Sequence, residues 1–475
     1  MLTYSFEKLG KQSLYEYLYK CIRKDILSGE LKPGDRLPPK RSFAKHLGIS
    51  VITVENAYAQ LTAEGCIYSL PRKGYYVAKV ENPFFSLQEK EPPGKAAAEE
   101  KKTAEPEYFV DFSNSQTSIV NFPFSTWAKL MREVLHENQE ELLTSSPAGG
   151  IAALRQAVAM HLADYRGISV RPEQIIIGAG TEYLYGLLIQ LLGFDKIYGL
   201  EDPGYDKIGK IYQSYHVNCA YIAMRRNGIT TEELEEKHID VMHISPSHHF
   251  PTGVVMPISQ RYELLKWASG SENRYVIEDD YDSEFRMKGQ PIPALQNIDT
   301  LGRVIYMNTF TKTLTSTVRI SYMVLPQSLL QLFHEKLSFY SCTVSNFEQY
   351  TLARFIQDGY FEKHLNRMRT YYHGKRDYLL NVIRNSPLSQ KVTVLREDSG
   401  LHFLMKIQMK MSDREFCDRA LEKGIKILPI SGYYHTGKQA KNHIFIVNYS
   451  SVPEEKMEEA VARLNSILCK DENNL

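Results

Sequence analysis

Three segments of the first 80 residues carry helical spacing. Leu14, Leu18, Ile22 and Ile26 recur every four positions and predict a helix over residues 11–28, ended by Ser28-Gly29. Residues 38–47 predict a second helix, with Phe43 and Leu47 inward. Ser50 is a side-chain cap for a third helix, whose Val54, Ala57, Tyr58 and Leu61 share one face and which Gly65 closes. Residues 66–70 and 75–77 then read as two short strands joined by the basic turn Pro71-Arg72-Lys73-Gly74. The pattern is a helix-turn-helix followed by a hairpin wing.

The pattern breaks off near residue 80. Residues 81–107 are rich in charge and alanine, interrupted by Pro92, Pro93 and Pro106, and hold too few large apolar side chains to pack. They predict a flexible linker. From residue 108 to 475 short apolar runs alternate with helix-length segments. Residues 174–178, 241–245, 275–278 and 303–306 read as strands, and 181–192 as a helix. That alternation predicts an α/β body with a mostly parallel sheet covered on both faces. Residues 395–475 mix strands at 400–405 and 443–447 with a closing helix from Pro453, which predicts a smaller C-terminal subdomain.

Composition adds little to this division. Hydrophobic content of 43% and charged content of 24% are ordinary for a globular protein. No apolar run reaches the roughly 18 residues of a membrane span, and the N-terminus lacks the basic-then-apolar order of a secretory signal. The six cysteines are scattered without a CxxC pair, as expected of reduced thiols in a cytoplasmic protein. Charge is more informative. Residues 1–80 hold 13 Lys/Arg and 7 Asp/Glu, a net +6, which leaves a net −5 for the remainder. A basic head on a mildly acidic body suits a head that meets nucleic acid.

The head carries Leu37-Pro38-Pro39-Lys40-Arg41, Leu47-Gly48-Ile49-Ser50, Thr53-Val54, Leu61-Thr62-Ala63-Glu64-Gly65 and Lys73-Gly74-Tyr75-Tyr76-Val77. These motifs resemble the winged DNA-binding domain of the GntR family. The resemblance implies that Arg41 contacts double-stranded DNA, that Ser50, Thr53 and Asn56 lie at the groove, and that Lys73 and Gly74 carry the wing tip into the minor groove. One position departs from the family pattern: Val51 stands where an arginine usually follows the capping serine.

The body offers the parts that an aldehyde cofactor requires: an amine, an acid for a ring nitrogen, phosphate donors and a flat group over the ring. Lys312 follows a strand among Thr309 and Thr311, with Arg319 seven residues on. Gly178-Ala179-Gly180-Thr181 joins a strand to a helix, where backbone N–H groups favour anions. Glu278-Asp279-Asp280-Tyr281 ends another strand, and Tyr205 follows Glu201-Asp202-Pro203-Gly204. His248 and His249 have no partner at metal-ligand spacing, so no metal site is expected.

The order of these motifs resembles the fold-type I aminotransferases over residues 108–475. That resemblance implies pyridoxal 5′-phosphate (PLP) as cofactor, with Lys312 as the Schiff-base lysine. It also implies Asp279 on the pyridine nitrogen, Tyr281 on the phenolic oxygen, Tyr205 stacked on the ring, and Gly180, Thr181, Thr309 and Arg319 around the phosphate.

A narrower likeness spans the whole chain. Residues 245–253, residues 277–286 and the Thr309–Tyr322 segment resemble the MocR/GabR group, in which a GntR-type head is fused to an aminotransferase-like body. Membership implies a homodimeric, PLP-dependent transcription regulator that senses an amine, an amino acid or PLP itself. Phe250 stands where ordinary aminotransferases commonly have asparagine. Lys207 stands at one position where an arginine grips an effector carboxylate, which makes it the expected effector contact, and residues 428–433 lack the second arginine. These departures favour sensing over turnover. Two alternatives remain: an active aminotransferase with a vestigial head, and a body that only dimerises.

Overall fold

The computed structural model describes residues 2–6, 12–79, 108–115, 121–225, 228–286, 292–398, 400–437 and 441–472. The expected linker at 81–107 lies outside the described residues. The chain divides into two compact units, residues 1–105 and 106–475.

In the first unit, α1 (Leu14–Ser28), α2 (Lys40–Leu47) and α3 (Val51–Ala63) precede a hairpin of β1 (Ile67–Leu70) and β2 (Gly74–Val77). Ser13 and Glu16 form a capping box at the start of α1, and Gly29 ends it in the left-handed region at φ +79°. Helix α2 starts two residues later than the pattern predicts. Pro38 and Pro39 hold the chain extended there, and Pro39 serves as the cap, its carbonyl accepting from Phe43 N at 2.9 Å. The Ser50 hydroxyl accepts from Thr53 N at 3.1 Å and so caps α3 as expected. Leu18, Ile22, Phe43, Val54, Tyr58, Leu61 and Val77 meet in one core. Each such burial contributes about 1.5–3 kcal/mol before the entropic cost of ordering. In the hairpin, Leu70 pairs with Gly74, and Gly74 adopts φ +108°.

The second unit is built on a seven-stranded sheet. Its strands are β4 (Ile175–Gly178), β5 (Ile197–Asp202), β6 (Asn218–Ala223), β7 (Val241–Ile244), β8 (Tyr275–Asp279), β9 (Val304–Thr309) and β10 (Ser321–Val324), in the order β4-β10-β9-β8-β7-β5-β6. All pairings are parallel except those of β10, which runs antiparallel to β4 and β9. Strand β9 extends three residues beyond its predicted end, because Met307, Asn308 and Thr309 pair with Met323, Tyr322 and Ser321 of β10. Ile175, Ile176, Ile177, Ile277 and Ile305 are all buried, as befits a sheet covered on both faces.

The C-terminal subdomain centres on a sheet ordered β11 (Val392–Leu395), β12 (His402–Ile407), β15 (Ile444–Asn448) and β14 (Leu428–Pro429). It begins slightly before residue 395 and also takes in the start of the body. Strand β3 (Val110–Asp111) pairs in parallel with β13 (Ile425–Lys426), and Val110 and Phe112 are buried in the subdomain core. That entry segment is brought to the cavity described below.

Candidate cofactor and effector site

Strands β5, β7, β8 and β9 end on one side of the sheet, and a cavity of about 390 Å³ opens there. In parallel sheets of this kind, ligands bind at the C-terminal ends of the strands. Gly180, Thr181, Tyr205, Lys207, Asp279, Tyr281, Thr309, Lys312 and Arg319 all line this one cavity.

Lys312 lies in the turn after β9. Its ammonium nitrogen donates to the Ser115 carbonyl at 2.6 Å and to the Ser115 hydroxyl at 2.9 Å. Burial lowers the Lys312 amine below the ordinary lysine value, and nearby Asp282 opposes that shift. Thr309 is tied into its own loop: Ser321 donates to its hydroxyl at 2.8 Å, and Thr311 N does so at 3.1 Å.

Asp279 closes β8 at the cavity floor. Tyr185 donates to its Oδ2 at 2.6 Å, and His243 Nε2 stands 3.5 Å from the same atom. The other oxygen, Oδ1, is buried with no hydrogen-bond partner. Tyr281 packs against His248, with its hydroxyl 3.3 Å from Nδ1, while Asp282 holds that nitrogen at 2.8 Å. His248 also stacks on His402, which lines the cavity, at 4.9 Å. His249 is turned away, bonded through Nδ1 to Thr252 at 2.7 Å. Among the described residues no cluster suits a metal ion.

One wall is the start of helix Thr181–Leu192. Gly180 precedes it at φ +92°, and a β-carbon there would lie 2.5 Å from the Arg319 guanidinium. The left-handed backbone there favours glycine. Arg319 Nη2 donates to Glu182 Oε2 at 2.9 Å, and Lys207 pairs with Oε1 of the same carboxylate. Lys207 is therefore not a free cation at the cavity mouth.

Tyr205 is half exposed and meets Phe250 edge to face at 5.9 Å. Phe250 also presents edges or faces to Tyr433 at 5.3 Å and His402 at 5.4 Å. The residue that replaces the usual asparagine thus joins an aromatic cluster that ties the cavity to the arginine-free 428–433 segment. Ser431 of that segment donates to Asp413 at 2.8 Å.

Sequence reasoning missed Tyr185, His243, Glu182, His402 and Ser115. Tyr185 lies one helical turn after Thr181 on the same face, and His243 is the lone polar side chain in β7. Those two spacings were the available signals. Ser115 follows the linker with no motif around it.

This geometry accompanies clear relatedness. The family described as aminotransferase class I and II matches residues 110–464, and the bacterial regulatory proteins of the gntR family match residues 14–77. The uncharacterized HTH-type transcriptional regulator YdeL of Bacillus subtilis is 37% identical over 95% of this chain and 96% of its own length. The probable rhizopine catabolism regulatory protein MocR of Rhizobium meliloti is 31% identical over 95% of this chain and 93% of its own. The chain belongs to the MocR group of regulators. Among solved structures, this MocR-type chain resembles the kynurenine aminotransferase of Pyrococcus horikoshii, with TM-score 0.68 and 25% identity over 82% of this chain and 97% of that one. The MocR-type architecture thus pairs a gntR-family winged helix with a fold of the PLP-dependent aminotransferases.

Arg41, Ser50, Asn56 and Lys73 are exposed, and Thr53 is partly so. Arg41 lies in α2, Ser50, Thr53 and Asn56 lie at or in α3, and Lys73 and Gly74 lie at the wing tip. Val51 and Ile52 are exposed beside Ser50, so the start of α3 presents apolar rather than cationic surface where the GntR pattern has arginine.

Proposed function

We propose that the chain is a cytoplasmic, homodimeric transcription regulator. Its body holds PLP, and its head places that information on double-stranded DNA. The observation that carries the cofactor reading is Asp279 Oδ1, a buried acceptor that lacks a partner at the floor of the cavity holding Lys312. A buried oxygen left so costs about 1–3 kcal/mol, which a protonated ring nitrogen would recover. The meeting of Gly180, Thr181 and Arg319 on one cavity wall is the second support, since a helix start and a guanidinium together favour a phosphate.

On this reading Lys312 would hold the cofactor, Asp279 would face its ring nitrogen, and Tyr281 its phenolic oxygen. Tyr205 would lie over the ring, and Gly180, Thr181, Thr309 and Arg319 would surround the phosphate. When bound, PLP supplies an aldehyde that condenses reversibly with amines. The chain's own contribution is positional. Tyr185 and His243 orient the Asp279 carboxylate, the lowered basicity of Lys312 keeps more of its amine neutral, and Ser115 fixes that amine.

The effector is an amine, an amino acid or PLP itself. Phe250 and the arginine-free 428–433 segment favour sensing over steady amino-group transfer, the alternative in which the head is vestigial. A second copy of the chain is supported by the exposed apolar side chains Phe124, Leu143, Phe339 and Phe347. No helix among the described residues is long and apolar enough to cross a membrane. The cysteines are free. Borohydride reduction followed by peptide mass analysis tests the cofactor reading. A pyridoxyl mass on Lys312 is expected; a colourless protein with no adduct there sinks it.

A further inference from the structure

The seat beside Gly180 already holds an anion, and it belongs to the chain. Glu182 extends from the first turn of helix Thr181–Leu192 and gives one carboxylate oxygen to Arg319 and the other to Lys207. All three side chains line the cavity, and each is partly exposed, so they are free to re-pair. The hydrogen bond from Lys207, followed by the charge of Arg319, holds the Glu182 carboxyl below its ordinary range. It is therefore ionised at neutral pH.

We propose that Glu182 is an internal competitor for the phosphate seat, so that anion binding at Arg319 is exchanged for a Glu182–Lys207 pair. This inference rests on the cofactor reading above. A phosphate monoester brings a charge of about −1.5 to −2 at neutral pH. It cannot share the Arg319 fork with a carboxylate without like-charge repulsion. Glu182 must then release Arg319, and Lys207 is the cation left to hold it. Two consequences follow. Phosphate affinity is set below that of the same seat without the carboxylate, so occupancy responds to ligand concentration instead of staying saturated. Lys207 is also neutralised whenever Glu182 is ionised, so it does not grip an effector carboxylate while the seat is filled. The effector then owes its recognition to its amine or to its own phosphate.

The test uses the full chain as wild type, Glu182→Gln and Lys207→Met, titrated with pyridoxal 5′-phosphate, with pyridoxal lacking the phosphate, and with inorganic phosphate as competitor. Glu182→Gln is expected to bind pyridoxal 5′-phosphate and inorganic phosphate about two- to fivefold more tightly, with pyridoxal unchanged. Lys207→Met leaves Glu182 with Arg319 alone and is expected to weaken both phosphate ligands several-fold. Equal affinities for wild type and Glu182→Gln, an equal gain for pyridoxal, or unchanged binding by Lys207→Met would overturn the proposal while leaving the cofactor reading intact. Absence of any pyridoxal 5′-phosphate binding in both wild type and Glu182→Gln would remove the cofactor reading and the proposal together.

Discussion

Tyr185 donates its phenolic hydrogen to Asp279 Oδ2 at 2.6 Å, and Oδ1 of the same carboxylate is left buried and unpaired. One oxygen is fixed by the protein and the other is left without a hydrogen bond, on a residue that lines the cavity. Such an arrangement costs stability in the empty protein and returns it when a cationic donor arrives. Asp279→Asn is therefore expected to leave the cofactor-free melting temperature nearly unchanged. It should also abolish most of the stabilisation that PLP confers on wild type, which is about 2.7 kcal/mol at a hundredfold excess over Kd. Thermal melts with and without PLP read both quantities. A variant that loses stability equally in both conditions would place Asp279 in the framework only.

Glu201 yields a prediction in pH. It is buried at the cavity edge, where it accepts from Ser245 N at 3.0 Å, and burial pushes its carboxyl up to about 8. Burial also lowers nearby His249 to about 3, so the imidazole offers no charge to pair with it at neutral pH. A raised carboxyl contributes stability that is fully present below its unfolded value near 4.5 and is lost as pH rises through about 8. Glu201→Gln removes that loss. The melting temperature of wild type should fall between pH 5 and pH 9 by a few degrees more than that of the variant. Parallel curves would show that Glu201 is ionised in the fold.

The DNA-facing assignment predicts a change of slope rather than of affinity alone. Arg41 and Lys73 are exposed on α2 and at the wing tip. If each neutralises one phosphate, Arg41→Ala and Lys73→Ala should each reduce the log–log salt dependence of DNA binding by about 0.9. Binding measured between 50 and 200 mM salt decides it. An unchanged slope for both would remove these residues from the interface.

The residues that sequence could single out share a physical setting. Lys312, Asp279, Tyr281 and Gly180 stand at or just past strand ends, where apolar runs give way to polar turns, and such breaks are visible in one dimension. Tyr185 and Glu182 sit inside a helix, and His243 inside a strand. A single polar side chain there reads as ordinary packing until the fold brings it to Asp279 or Arg319. Strand β10 was missed because four residues, Ser321–Val324, carry too little pattern, yet its pairing with β9 sets where the Lys312 turn begins. The entry of Val110 into the C-terminal subdomain is a contact across more than 300 residues, which no local periodicity encodes. The Lys207–Glu182 pair is of the same kind, and it changes the meaning of Lys207 from a free effector contact to one half of an ion pair.

A regulator of the proposed kind requires cavity chemistry and DNA binding to be coupled. Coupling requires a ligand to bind two states of the protein with different affinity, and the effect is reciprocal. The most direct measurement titrates PLP, and then candidate amines and amino acids, into the full chain while cofactor absorbance and binding to the DNA upstream of its own coding region are followed in one sample. At least one ligand is expected to shift both signals together, with a fivefold or greater change in DNA affinity. An absorbance response from every ligand that binds, with DNA affinity constant throughout, would contradict it.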